Sequence, residues 1–346
     1  MVSSIRLSKR NYIGGQSKDM RNGRVTVVMP SESLPLTQFV ANCPGVNLQT
    51  WLSANRDRIN DSLLHDGVIL LRGFDSLSVE EVEAVITLID GQKPQPYFNR
   101  STPRSTVHNN IYTSTEYPPD QVIPQHNENS YSASWPERLT LYCQIPAANG
   151  GQTPLADSRK VFAALPDSLT QKFIDHGVKY VRHYSALGLS WQDTFQTESR
   201  AEVEQYCRDN DILFEWNDQG HLRTEQICPA AITHPRTREW VWFNQAHLFH
   251  LSNLGGEMAE AMTLLYPQKN YPRNAYLGNG EELDEQELAL IRDAYDRFTF
   301  SFDWQCNDLV IVDNMLFSHG RMPFTGERRI LVGMTGNISA REWLLI

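Results

Sequence analysis

The sequence predicts an α+β protein whose centre is a β-sandwich or jelly roll with helices packed outside. Three observations carry this. Short apolar segments of strand length recur to the end of the chain, at Val68–Arg72, Leu139–Gln144, Leu309–Val312 and Arg329–Val332. Helical periodicity is confined to a few stretches between them. No linker or internal repeat divides the 346 residues, 40% of which are apolar, enough to bury a large core.

The elements follow in chain order. Residues 1–35 are polar and rich in Ser, Arg and Gly, and read as an N-terminal arm or edge extension; residues 36–346 read as a single domain. Leu48, Trp51, Leu52, Ile59 and Leu63 recur near helical spacing, and Asp66-Gly67 ends the helix. Val68–Arg72 then reads as a buried strand. Ser78 and Glu81 form a capping box ahead of a helix carrying Val82, Val85, Ile86 and Ile89. From about Arg100 the texture turns to Ser, Thr, Asn, Tyr and Pro, the signature of short strands and loops. Helices are expected near Ser168–His176 and Asp284–Phe298, the second with its own capping box at Asp284 and Glu287.

Composition narrows the function. A formal net charge of -10 repels phosphate backbones and anionic lipid, so neither nucleic acid nor a membrane is the expected partner. Five scattered cysteines with no C-x-x-C pair argue against a disulfide framework or a zinc knuckle. The first fifteen residues hold no apolar leader-like run, and a cytoplasmic location is expected.

The chemistry centres on His126-Asn127-Glu128. In a strand, residues two apart share a face, so an imidazole and a carboxylate would converge. A second histidine from a distant strand would complete a two-His, one-carboxylate triad, which leaves three octahedral positions open, as iron(II) oxygen chemistry requires. Alone, such a triplet also fits a polar surface loop. His319 supplies the context: it follows the strand Leu309–Val312 and the polar turn Asp313-Asn314, and precedes Arg328-Arg329 at the start of the next strand. A guanidinium there can grip the far carboxylate of a dicarboxylate bound at the metal. Adjacent strand residues face opposite ways, so only one arginine can point inward.

Four motifs in this order resemble the taurine dioxygenase (TauD/TfdA) and clavaminate-synthase-like superfamily, nearest to the branch similar to a syringomycin-pathway hydroxylase. They are Asp66–Phe74, Gln125–Tyr131 with Trp135-Pro136, Gly150–Arg159, and His319 through Leu331. The resemblance implies a double-stranded β-helix (jelly roll) core, and iron(II) with 2-oxoglutarate and O2 as co-substrates. It implies His126, Glu128 and His319 as metal ligands and catalytic centre. Thr153 and Arg329 would bind the co-substrate, Arg329 being the second of the pair. The expected reaction is hydroxylation of an unactivated C–H bond of an amino acid, peptide or carrier-tethered aminoacyl group in natural-product biosynthesis, with succinate released. Epoxidation and desaturation use the same oxidant. Because Glu128 is present, oxygen transfer is favoured over chlorination.

On the substrate side, Arg104, Tyr112 and Ser114 precede the first ligand strand, and Asn244 and Gln245 follow Trp242-Phe243. Each has a competing reading, a solvated loop for the first three and core packing for the last group. His247 and His250 are expected to be loop or packing histidines, and Asp303 and Asp308 turn caps. Two other classes remain open from residues alone: a non-oxidative divalent-metal enzyme on the same triad, and a catalytically silent jelly-roll binding protein.

Overall fold

The computed structural model describes residues 24–342 apart from residues 98, 103, 185–187, 266 and 268–269. Most of the expected arm therefore lies outside the described residues. Its last part does not: Val25–Val28 is a strand, pairing antiparallel with Thr37–Ala41 at the edge of a large sheet.

That sheet has eight strands in the order Val25–Val28, Thr37–Ala41, Val68–Arg72, Leu309–Asp313, Arg138–Ile145, Arg329–Thr335, Ile111–Thr113, Thr106–His108. Its pairings are antiparallel except for the parallel step between Thr37–Ala41 and Val68–Arg72. A second, four-stranded antiparallel sheet runs Thr299–Phe300, Leu155–Asp157, Phe317–Arg321, Ile123–His126.

The alternation of the central strand shows why both faces are apolar. Val68 and Leu70 enter one core with Leu139, Leu141, Val310, Val312, Ile330 and Val332 of the large sheet and with Leu155 and Phe317 of the small one. Ile69 and Leu71 enter another with Leu52, Ile59, Leu63, Val82, Val85 and Ile86. One face of the large sheet thus meets the small sheet, and the other is covered by the helices Leu48–Asp66 and Val79–Asp90. A strand buried on both faces reads as a continuous apolar run rather than an alternating one.

Local signals explain these helices. Asn47 accepts from the Thr50 N–H at the start of the first, and Gly67 ends it in the left-handed region at φ 77°. Ser78 and Glu81 make the reciprocal capping box expected for the second. The helices Asp167–His176 and Glu285–Phe298 also form where expected. Asp284 caps the latter by accepting from Gln286 N–H, not through Glu287.

A third sheet was not anticipated. Leu213–Trp216, Leu222–Cys228, Val178–Tyr184 and Arg273–Leu277 pair antiparallel in that order. Among the described residues no helix is long and apolar enough to cross a membrane.

Gly67 joins the first helix directly to the central strand. A Cβ there would meet the Phe317 ring at 2.6 Å and Leu316 Cβ at 3.0 Å, on backbone that disfavours any side chain. Gly67→Ala should therefore cost about 1–3 kcal/mol from the left-handed strain alone, with the contact adding to it. A urea titration showing stability within error of the parent would contradict this.

Candidate metal centre

His126 ends the strand Ile123–His126, and His319 lies in the middle of the neighbouring strand Phe317–Arg321 rather than at a strand end. The two are cross-strand partners, with ring centroids 4.3 Å apart. Glu128 Oε2 lies 3.9 Å from His319 Nε2, and one ligand atom from each of the three residues falls within 4.8 Å of the others.

The convergence has a different cause from strand alternation. Glu128 lies beyond the strand, in a turn that passes through Asn129 at φ 56°. Asn314 holds that turn. Its side-chain oxygen accepts from Glu128 N–H at 2.7 Å, and its amide donates to the carbonyls of Glu128 and Pro136 at 3.0 and 2.9 Å. Its backbone carbonyl accepts from the Asn127 side chain at 2.7 Å. Gln245 braces the same turn by donating to the Asn127 carbonyl. The fully buried Asn314 belongs to the segment that leads from the strand Leu309–Asp313 to His319, so one residue ties both halves of the triad together.

Protonation suits metal binding. Burial pushes the Glu128 carboxyl up, but Arg104, His126 and His319, with a hydrogen bond from Tyr97, outweigh it and hold the group at about 2. Burial holds His126 below its ordinary value and His319 at about 3. Near neutral pH the site thus presents an ionised carboxylate and two neutral imidazoles, the forms that ligate metals. His126 donates from Nδ1 to the Pro124 carbonyl at 2.8 Å, which leaves Nε2 facing the cluster. A buried N, N, O donor set of this kind fits non-haem iron.

Next to the triad is a cavity lined by Arg104, Thr153, Arg328, Leu141, Ile330 and Val332, among others. Here the expectation for the arginine pair is corrected. Arg328, Ile330 and Val332 face the cavity, whereas Leu331 enters the helix-side core and Arg329 is exposed at the strand edge. The inward cation is Arg328, which donates to the Gly151 carbonyl and Ser114 Oγ at 3.0 and 3.2 Å. Burial, with Arg321 nearby, pushes its guanidinium down to about 10, and among the described residues it has no carboxylate partner. Thr153 faces the same cavity, its hydroxyl accepting from Trp304 Nε1 at 3.1 Å.

The residues expected at the substrate mouth separate. Arg104 is buried, with Nη2 2.5 Å from Glu128 Oε2, so it braces the carboxylate. Ser114 sits against Arg328. Tyr112 is buried outside the cavity lining, its hydroxyl accepting from Tyr97 N–H. Asn244 is not at the site: it is fully buried, donating to the Ala230 carbonyl and accepting from Ala246 N–H, which fixes a chain corner. His247 packs on Tyr295 and His250 caps Ser252 N–H. Asp308 caps Gln305 N–H and also pairs with Arg72, while Asp303 accepts from Gln152 instead of capping a turn.

Asn314, Tyr97, Trp304 and Arg321 were not singled out by sequence reasoning. For Asn314 a signal existed: an amide set between the apolar runs Leu309–Val312 and Met315–Phe317 has to be buried and therefore bonded. Replacing it by Leu, of similar size, should lower metal affinity about 10–100-fold, because ligand orientation is lost while the three ligands remain. Competition titration against a chelator checks this; unchanged affinity in a folded Asn314→Leu protein would contradict it.

Comparison with known proteins agrees with this geometry. The family model of the taurine catabolism dioxygenase TauD, TfdA family matches residues 32–335. The dapdiamide synthesis protein DdaC of Enterobacter agglomerans is 35% identical over 313 residues, covering 88% of this chain and 95% of that protein. A clavaminate synthase-like protein of Arabidopsis thaliana is 30% identical over 318 residues, covering 88% and 91%. Among solved structures, AAD-2 in complex with Mn(II) and N-oxalylglycine aligns with a TM-score of 0.54 at 13% identity, over 91% of this chain and 98% of that one. PvcB, an Fe, alpha-ketoglutarate dependent oxygenase from an isonitrile synthetic pathway, aligns with a TM-score of 0.53 at 14% identity, over 92% and 94%. With a His-Glu-His cluster that could hold a metal and a family match over most of its length, the chain belongs to the TauD/TfdA family and is a non-haem iron, 2-oxoglutarate-dependent dioxygenase.

Proposed function

We propose that His126, Glu128 and His319 hold the iron, and that Arg328, with Ser114 and Thr153 beside it, binds the far carboxylate of 2-oxoglutarate. One observation carries this reading: a single cavity is lined by both histidines of the triad and by a half-buried guanidinium that has no carboxylate partner among the described residues. The reaction is hydroxylation of an unactivated C–H bond in an amino-acid-like substrate, whether free, in a peptide or tethered to a carrier protein. A role in natural-product biosynthesis is supported by the similarity to a dapdiamide synthesis protein. We read the two facing sheets as a double-stranded β-helix and residues 36–346 as one functional domain, since the large sheet draws strands from Thr37 to Thr335. Five free cysteines support a reducing, cytoplasmic setting.

Bound iron would couple decarboxylation of 2-oxoglutarate to succinate with transfer of one oxygen atom to the substrate. The protein's own work is positioning and charge. Tyr97 donates to Glu128 Oε1 and Arg104 to Oε2, fixing the carboxylate plane. Arg328 offers a planar fork to a carboxylate. Leu141, Ile330 and Val332 keep water from that contact and so strengthen it.

Arg328→Ala should weaken 2-oxoglutarate binding by about 2–5 kcal/mol, on the order of tens- to thousands-fold, with metal affinity little changed. Arg329→Ala should have a mild effect because that side chain is exposed. Calorimetry of both variants decides the matter, and an Arg329 effect larger than that of Arg328 would reverse the assignment. Glu128→Ala should abolish stable metal binding and turnover; hydroxylation at the parent rate in that variant would remove Glu128 from the ligand set.

A further inference from the structure

Outside the metal cavity, the third sheet carries a pocket of about 160 Å³ lined by Ser101, Arg182, His183, Tyr184, Phe249 and Arg273, among others, and, among the described residues, by no aspartate or glutamate. Arg182 and Arg273 are cross-strand partners, Arg273 being the first residue of its strand. Like charges placed opposite each other in a sheet are unfavourable unless an anion lies between them. Arg182 is anchored from behind, donating to Asn99 Oδ1 and the Arg100 carbonyl at 2.9 and 2.7 Å. Arg273 is not anchored: its recorded contact is with the Phe249 ring, 5.4 Å from the guanidinium carbon, and among the described residues it has no hydrogen bond or ion pair. Burial and Arg182 hold it below its ordinary value, yet the residue is exposed. The guanidinium thus lines the pocket with no hydrogen-bond acceptor among the described residues. His183, held neutral by burial with Nδ1 donating to the Tyr271 carbonyl, adds no counter-charge.

The pocket adjoins the metal site. Tyr131, beneath the Arg182 guanidinium at 5.7 Å, donates its hydroxyl to the Asn99 carbonyl and lies 3.2 Å from Oδ1 of Asn129, the neighbour of Glu128.

We propose that Arg182 and Arg273 form the recognition site for a carboxylate on the organic substrate, with Arg273 the contact that selects acids over neutral analogues. This rests on the substrate class given above. Arg182 holds the rear of the site and the Asn99–Arg100 backbone, and Arg273 closes on the anion. Because this pocket shares no lining residue with the metal cavity, the carboxylate would sit at the end of the substrate remote from the reacting carbon. Binding energy gathered there positions that carbon without touching the metal.

The test uses the whole protein loaded anaerobically with iron(II) and 2-oxoglutarate, whose visible charge-transfer band reports substrate entry. The probes are the N-acetyl forms of the proteinogenic L-amino acids and the corresponding carboxamides. At least one acid should perturb the band and bind ten-fold or more tightly than its amide. That preference should shrink as salt is raised. Arg273→Gln should abolish the acid preference while leaving amide and 2-oxoglutarate binding at parent values. Arg273→Lys should restore part of it, since an ammonium keeps the charge but not the fork. Arg273 is the residue of choice because Arg182→Gln also releases the Asn99–Arg100 backbone. A normal band with no acid preferred over its amide, or a preference that survives Arg273→Gln, overturns the carboxylate site and leaves the oxygenase reading intact. Failure of the band to form in the parent protein overturns both.

Discussion

The hydrogen bonds of Asn314 are the constraint on which the rest of the site depends. A strand alone would place His126 beside His319, because the two are paired across the small sheet. It would not bring a carboxylate to the same point, because Glu128 has already left the strand. The turn that returns it is bound on both sides by one buried amide, whose own position is set by the apolar strand Leu309–Asp313. An unsatisfied amide in that position would cost about 1–3 kcal/mol, so folding of the core and assembly of the triad are one event.

Charge is arranged with similar economy. The Glu128 carboxylate is balanced by Arg104, and both of its oxygens are bonded within the protein, so its orientation is fixed independently of any metal. Arg328 is the opposite case, a half-buried cation without a carboxylate partner among the described residues. Such a group is tolerated where a ligand completes it, and in the proposed reading the co-substrate would bring the missing anion. A purely hydrolytic metal site would have no use for that uncompensated guanidinium, and family membership points the same way.

Much of this was legible in the sequence. Helix limits at Asn47, Gly67 and Ser78 follow from cap chemistry that acts within a few residues, and apolar runs mark the strands buried on both faces. The three residues expected to converge do so, but strand alternation does not bring Glu128 there; a turn does. The arginine assignment failed for a physical reason. Ile330, Leu331 and Val332 are all buried, so no polar side marks the parity of that strand, and the ladder shifts register between Arg329 and Ile330. Asn244 failed because an Asn beside aromatic residues reads alike whether it meets a ligand or fixes a backbone corner. The third sheet was missed because burial alternates along Leu222–Cys228 while hydrophobicity does not: two of its inward residues, Thr224 and Gln226, are polar.

The central claim is that metal and 2-oxoglutarate share one cavity, and thermodynamic linkage tests it most directly. Calorimetric titration of 2-oxoglutarate into the metal-free protein and into the Mn(II)-loaded protein, without oxygen, measures the coupling. If the co-substrate chelates the metal while Arg328 holds its far end, Mn(II) should tighten 2-oxoglutarate binding by about a hundred-fold, and 2-oxoglutarate should tighten Mn(II) binding by the same factor. Equal 2-oxoglutarate affinity with and without Mn(II) would contradict the account.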